Sequence, residues 1–128
     1  MIRSILAVIT GTVAWIVVAT ALNLVLRFGW PEYAAAEPGM NFTLPMMLSR
    51  LLLGVIASFA AGLAAALIAR SKRPVYIVAI VLLAAFIPVH YNLWARFPVW
   101  YHLFFLASLV AFTLLGAASR SRATRAPL

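Results

Sequence analysis

Four apolar stretches, each long enough for a helix to cross a lipid hydrocarbon core, take up most of this chain and are joined by polar links. A core about 30 Å thick needs roughly 20 residues of helix at a rise of about 1.5 Å each. The runs lie at about 4–26, 43–69, 75–94 and 98–118, and cations stand at their ends. Arg3 and Arg27 bracket the first run, and Arg50 and Arg70 bracket the fully apolar part of the second. Of 128 residues, 66% are hydrophobic and 9% charged, against about 25% charged in an average soluble domain. A water-soluble fold this small has too little interior to hide so much apolar surface. The expected fold is an all-α integral membrane protein, a bundle of four transmembrane helices.

That fold accounts for residues 1–119 as one domain and leaves 120–128, "RSRATRAPL", as a basic tail lying frayed on an anionic membrane surface. Pro88 falls late in the third span, where it should kink or loosen the helix. Pro98 suits the first turn of the fourth, where a missing N–H costs little. The apolar run continues past the small-residue stretch "ATA" through Leu26, so the first span reads as a retained anchor rather than a cleaved leader. The longest link is "FGWPEYAAAEPGMNFTLP". Within it "PEYAAA" reads as a short interfacial helix with Pro31 in its first turn and Glu32 near its positive end. A turn at "EPG" ends that helix, and Asn41 or Thr43 is placed to cap the second span.

Orientation follows from the cations beside the spans. Arg3, Arg70, Lys72, Arg73, Arg120, Arg122 and Arg125 fall on one side, and Arg27, Arg50 and Arg96 on the other. Both termini and the "RSKRP" link are therefore expected in the cytoplasm. Nine Arg to one Lys, with abundant Ala, is a composition typical of a GC-rich bacterial genome, so the expected location is a bacterial inner membrane, crossed several times. The formal charge of +8 does not indicate nucleic acid, because the cations sit at the ends of apolar runs rather than on one wettable face. With no Cys, the chain excludes disulfides, thiolate metal sites and covalent haem attachment.

One motif occurs twice. "NLVLRF" at 23–28 returns as "NLWARF" at 92–97, and each copy follows an inner cation at the same distance. On helices, Asn23 and Arg27 share one face, as do Asn92 and Arg96. Parallel repeats of a helical hairpin would produce this pattern, although little else matches at the same offset. The same residues also suit interfacial anchoring: an Arg in a last turn bonds orphan carbonyls and lipid phosphate, with Phe and Trp beside it at the interface. The alternative makes Arg27 and Arg96 a paired clamp on an anion. Anchoring is the expectation, because belt residues follow from bilayer thickness alone.

Apart from the cations flanking the spans on the other side, the ionisable residues Arg27, Glu32, Glu37, Arg50, His90, Arg96 and His102 all fall at or near the outer surface. Of polar side chains, the middle and inner halves of the spans hold Ser, Thr and Trp, including Thr10, Thr12, Ser58, Ser108 and Thr113, with Tyr76 at the inner end of the third. In length and helix count the chain is similar to the small multidrug-resistance transporters, but it lacks the carboxylate they carry in their first span. A proton-coupled exporter needs such a titratable group near the midplane. His90 and His102 are close enough in sequence, across a tight link, to meet, and neutral imidazoles ligate haem iron or copper. Two His without a nearby carboxylate or Cys make a thin site, so no metal and no cofactor are expected. The expected surroundings of each imidazole are headgroups, water and backbone. No Ser-His-acid, paired-carboxylate or HExxH constellation is present, and the chain is not expected to be an enzyme.

The second span carries Gly54, Ser58, Gly62 and Ala66 at four-residue spacing, beside a second row of Ala57, Ala61, Ala65 and Ala69. Small residues so spaced let helix backbones approach closely in lipid. Two adjacent rows exceed what one central seam of a bundle uses, which points to a docking face for another copy or a partner membrane subunit. The functional expectation is a non-catalytic accessory or packing subunit of a membrane complex or homo-oligomer, in contact with membrane lipid. The alternative is a small carrier or binding protein for an anionic or amphipathic molecule. Its outward-facing site would draw on Asn23, Arg27, Arg50, His90, Asn92, Arg96 and His102.

Overall fold

The computed structural model describes the backbone of residues 1–125 and the side chains through Arg120. The described residues form five helices and no strand: α1 (Ile2–Gly29), α2 (Pro31–Ala36), α3 (Leu44–Ile68), α4 (Arg73–Asn92) and α5 (Val99–Arg125). Single 3-10 turns lie at Glu37–Gly39 and Trp94–Arg96. Helices α1, α3, α4 and the Val99–Arg120 part of α5 are long and apolar enough to cross a membrane. They run up, down, up and down, so Arg3 and Arg120 lie at one end of the bundle, called here the termini end. Arg3 marks it, donating from Nε to the Ile68 carbonyl at 2.6 Å. The opposite end is the loop end. Helix α5 carries the backbone past the expected span into the tail as far as Arg125, while residues 126–128 and the side chains of Arg122 and Arg125 lie outside the described residues.

Prolines set the helix boundaries at the loop end. A residue before proline is driven to extended backbone, and Trp30, before Pro31, sits at φ −139° and ψ 90°, which stops α1 at Gly29. Phe97, before Pro98, is extended for the same reason. Thr43 occupies the N-cap position of α3, but its side chain makes no capping bond, contrary to the expectation from sequence. Helix α4 continues through Pro88 to Asn92.

Helix α1 buries Ala7, Gly11, Trp15 and Ala19, a stripe at four-residue spacing. The opposite side exposes Ile5, Ile9, Val13, Ile16 and Val17, a continuous apolar surface suited to lipid rather than water. Helix α3 is the centre of the bundle and lies along both α1 and α5, while α4 closes the ring between them. A Cβ on Gly11 would stand 3.0 Å from the Ala61 carbonyl oxygen and 3.1 Å from the Ala65 Cβ. A Cβ on Gly62 would overlap the Thr113 carbonyl of α5, and one on Gly116 would overlap the Phe59 carbonyl of α3. The two small rows of α3 are therefore used inside the chain, one against α1 and the other against α5. A helix with two neighbours has two seams, and each needs small residues, so the second row does not by itself call for an intermolecular face.

Mid-bundle polar groups are mostly satisfied locally. Trp15 Nε1 donates to Ser58 Oγ at 3.1 Å, linking α1 to α3. Ser108 and Thr113 bond back to carbonyls of their own helix, at 2.8 and 2.6 Å.

Candidate functional site at the loop end

Asn23 and Arg27 lie one turn apart on α1, and both reach the same carboxylate. Arg27 Nε forms an ion pair with Glu37 Oε1, and Asn23 Nδ2 donates to Glu37 Oε2 at 2.9 Å. The Tyr33 hydroxyl donates to Asn23 Oδ1 at 2.7 Å. Arg50 of α3 donates from Nη1 to the Tyr33 oxygen at 2.8 Å and from Nε to the Tyr101 oxygen at 3.3 Å. Its guanidinium also stands 4.8 Å from the centre of the Phe42 ring. From the far side, Arg96 Nη1 donates to the Gly39 carbonyl at 3.0 Å. The Glu37–Gly39 turn is thus gripped by the two arginines of the repeated motif.

Arg27 and Arg96 hold a loop of their own chain, Arg27 through the Glu37 carboxylate and Arg96 through the Gly39 carbonyl. The repeat is also not conformational: Asn23 and Arg27 share a helix face, whereas α4 ends at Asn92 and Arg96 lies in the next 3-10 turn. The cause is local, because the proline after the first copy is Pro31, four residues beyond Arg27, while Pro98 follows Arg96 by two. Asn92 is exposed and takes no part in the clamp.

Burial acts to raise the Glu37 carboxyl, but the bonds from Asn23 and Arg27, with the charges of Arg27 and Arg50, outweigh it and hold the group below the usual carboxylate range. Burial pushes the Tyr33 phenol up, opposed in part by Arg50. Because the Glu37 value is depressed in the folded state, its contribution is complete above about pH 4.3 and is lost as pH falls through the lowered value. Hydrogen exchange of the amides in 31–43, corrected for intrinsic rates, should therefore accelerate only in acid. Glu37→Gln should already exchange fast at neutral pH and show no acid step; an acid step retained in that variant would assign the linkage to another group.

Beside the clamp lies a cavity of about 390 Å³. Asn23, Arg27, Glu37 and Arg50 line its polar end, and Trp15, Ala19, Leu53, Phe86 and Phe105 line its apolar body. Two guanidiniums face one carboxylate, so the polar end carries a net positive charge. Three of the sequence-derived candidates, Asn23, Arg27 and Arg50, thus come together here, while His90, Asn92, Arg96 and His102 do not line this groove.

The histidines form a separate unit. His90 and His102 are buried, with their Nδ1 atoms 2.7 Å apart, and His102 Nε2 lies 3.2 Å from the Trp94 carbonyl. A carbonyl only accepts, so His102 carries its proton on Nε2; with both rings neutral, His90 Nδ1 then donates to His102 Nδ1. The expected headgroup environment is replaced by this internal pair. Trans ligation of a haem iron would need the two nitrogens about 4 Å apart, twice a bond of about 2.0–2.1 Å, which is wider than the 2.7 Å between these Nδ1 atoms. Among the described residues no three His, Cys, Asp or Glu side chains group to hold a metal ion.

Sequence reasoning missed Glu37, Tyr33 and Tyr101 as members of this cluster. Glu37 had a signal, being one of two acids in a chain of charge +8. The tyrosines had none beyond their interfacial position. Comparison with protein-family models, curated proteins and solved structures finds no match.

Proposed function

We propose that the chain spans a bacterial inner membrane four times with both termini in the cytoplasm, and that it binds an amphipathic anion in the loop-end groove. The role is non-catalytic, as a small carrier or as a binding subunit of a membrane assembly. The observation that carries this reading is the groove's division into a cationic end at Arg27 and Arg50 and an aromatic body at Trp15, Phe86 and Phe105. Such a division matches a headgroup joined to an apolar tail, and a cavity of this size is within the usual range for small ligands. Arg50 is the better anion site of the two arginines, because its partners are phenols and a ring whereas Arg27 is paired with Glu37. The cation asymmetry supports the orientation, which makes the groove outward-facing. The accessory-subunit reading loses the feature that first favoured it, since the small-residue rows of α3 face α1 and α5 of the same chain.

The test uses the full chain in neutral detergent, titrated with a brominated fatty acid that quenches nearby tryptophan. Saturable quenching is expected in the parent, most of it absent in Trp15→Phe. Arg50→Gln should weaken binding by about tenfold, as loss of a charge-assisted bond does. A brominated alcohol of the same length should bind weakly to both. Equal binding of acid and alcohol, or of parent and Arg50→Gln, would remove Arg50 and its groove from the proposed role.

A further inference from the structure

The larger cavity lies at the other end of the bundle. A half-open cavity of about 560 Å³ lies where the start of α1, the α3–α4 link and the last turns of α5 meet. Arg3, Arg70, Lys72 and Arg120 line its rim, with Val75 and Leu114 among its apolar walls. No carboxylate side chain lines it, and both acids of the chain, Glu32 and Glu37, belong to the opposite end. These cations come together only in the fold, since Arg3 and Arg70 are far apart in sequence. The Arg3 bond to the Ile68 carbonyl places it there, and that bond occupies Nε alone. The same bond satisfies one of the orphan carbonyls at the α3 terminus.

We infer that this cavity is a binding site for an anionic phospholipid, with its phosphate among Arg3, Arg70 and Lys72 and the upper part of an acyl chain against Val75 and Leu114. Three features select this occupant. The rim is cationic and no carboxylate lines it among the described residues, so an anion is attracted. The walls are apolar, so a small hydrated anion leaves most of the cavity unmatched. The cavity also opens where the four spans end, which is the depth of lipid phosphates once the spans cross a bilayer. The site rests on the membrane reading above but not on the loop-end groove, and its test leaves Arg50 intact so that either can fail alone.

The experiment counts lipid bound to the purified full chain by native mass spectrometry after exposure to mixed micelles holding phosphatidylglycerol or phosphatidylcholine. Phosphatidylglycerol should be retained in preference, and excess inorganic phosphate should not displace it. Arg70→Gln and Lys72→Gln should each reduce retention by about fivefold, the effect of one basic residue at an anionic surface. Arg73→Gln is the decisive control: it removes the same charge one residue away from Lys72, at a position that does not line the cavity. It should retain lipid like the parent. All these side chains are exposed, so the fold is expected to survive, and an unchanged thermal transition checks that. An equal loss in all three variants would mean diffuse attraction to a basic surface and would overturn the site. So would equal retention of the two lipids, or displacement by inorganic phosphate.

Discussion

Gly62→Ala and Gly116→Ala should each lower the stability of the purified protein by about 3 kcal/mol or more, above the usual range for overpacking. The reason is reciprocal backbone contact between α3 and α5. A methyl on Gly62 meets the Thr113 carbonyl, and a methyl on Gly116 meets the Phe59 carbonyl. Backbone in mid-helix cannot yield as a side chain can, so the helices must separate. Gly54→Ala should cost far less, since the obstacle is the Phe105 ring edge at 2.9 Å, the far end of a side chain that can turn. Gly29→Ala should be almost silent, with nothing within 4 Å. Thermal unfolding in mild detergent gives the ranking, and size measurement gives a second readout. If Gly62→Ala left the monomer fully stable and abolished only a larger assembly, this glycine would belong to an interface between chains, against the packing described above.

Replacing His102 by Phe should be the next most damaging change. His102 is fully buried and satisfies two groups at once, His90 Nδ1 and the Trp94 carbonyl. Phenylalanine keeps the stacking on Trp94, whose ring centre is 4.8 Å away, but leaves both polar partners unpaired. Each stranded group costs about 1–3 kcal/mol. The double variant His90→Phe with His102→Phe strands the Trp94 carbonyl but no imidazole. Its loss should therefore be smaller than the sum of the two single losses. Near-UV circular dichroism and thermal unfolding of the four proteins would measure this coupling. Strict additivity would mean that the two rings are not bonded to each other.

Four long helices were legible because their signal is local: length and hydropathy decide whether a segment can be a span, and no partner is needed to read them. Pro31 and Pro98 were equally legible as boundaries, since a proline acts on its immediate neighbour. Small-residue rows on α3 were visible too, but not their destination. Gly62 meets the Thr113 carbonyl and Gly116 the Phe59 carbonyl only because α5 returns antiparallel along α3, and the "LLGAAS" segment gave no sign of facing it. The loop-end site was half legible. Arg27 and Arg50 drew attention as cations beside apolar runs, but their partners Glu37, Tyr33 and Tyr101 come from separate segments.

The repeated motif shows where local information ends. By itself the sequence determined that Asn23 and Arg27 share a helix face and that an Arg stands one residue before the end of each copy, because backbone periodicity and terminal chemistry act over one or two turns. Only the tertiary structure decided what those arginines hold. A guanidinium takes whichever acceptor the fold brings within reach, and here the long first loop folds back to offer the Glu37 carboxylate to Arg27 and the Gly39 carbonyl to Arg96. The same holds for His90 and His102, which share a hydrogen bond because α4 and α5 are packed together. Which polar groups are paired depends on packing, since a buried donor must find its acceptor across a helix seam rather than along the chain.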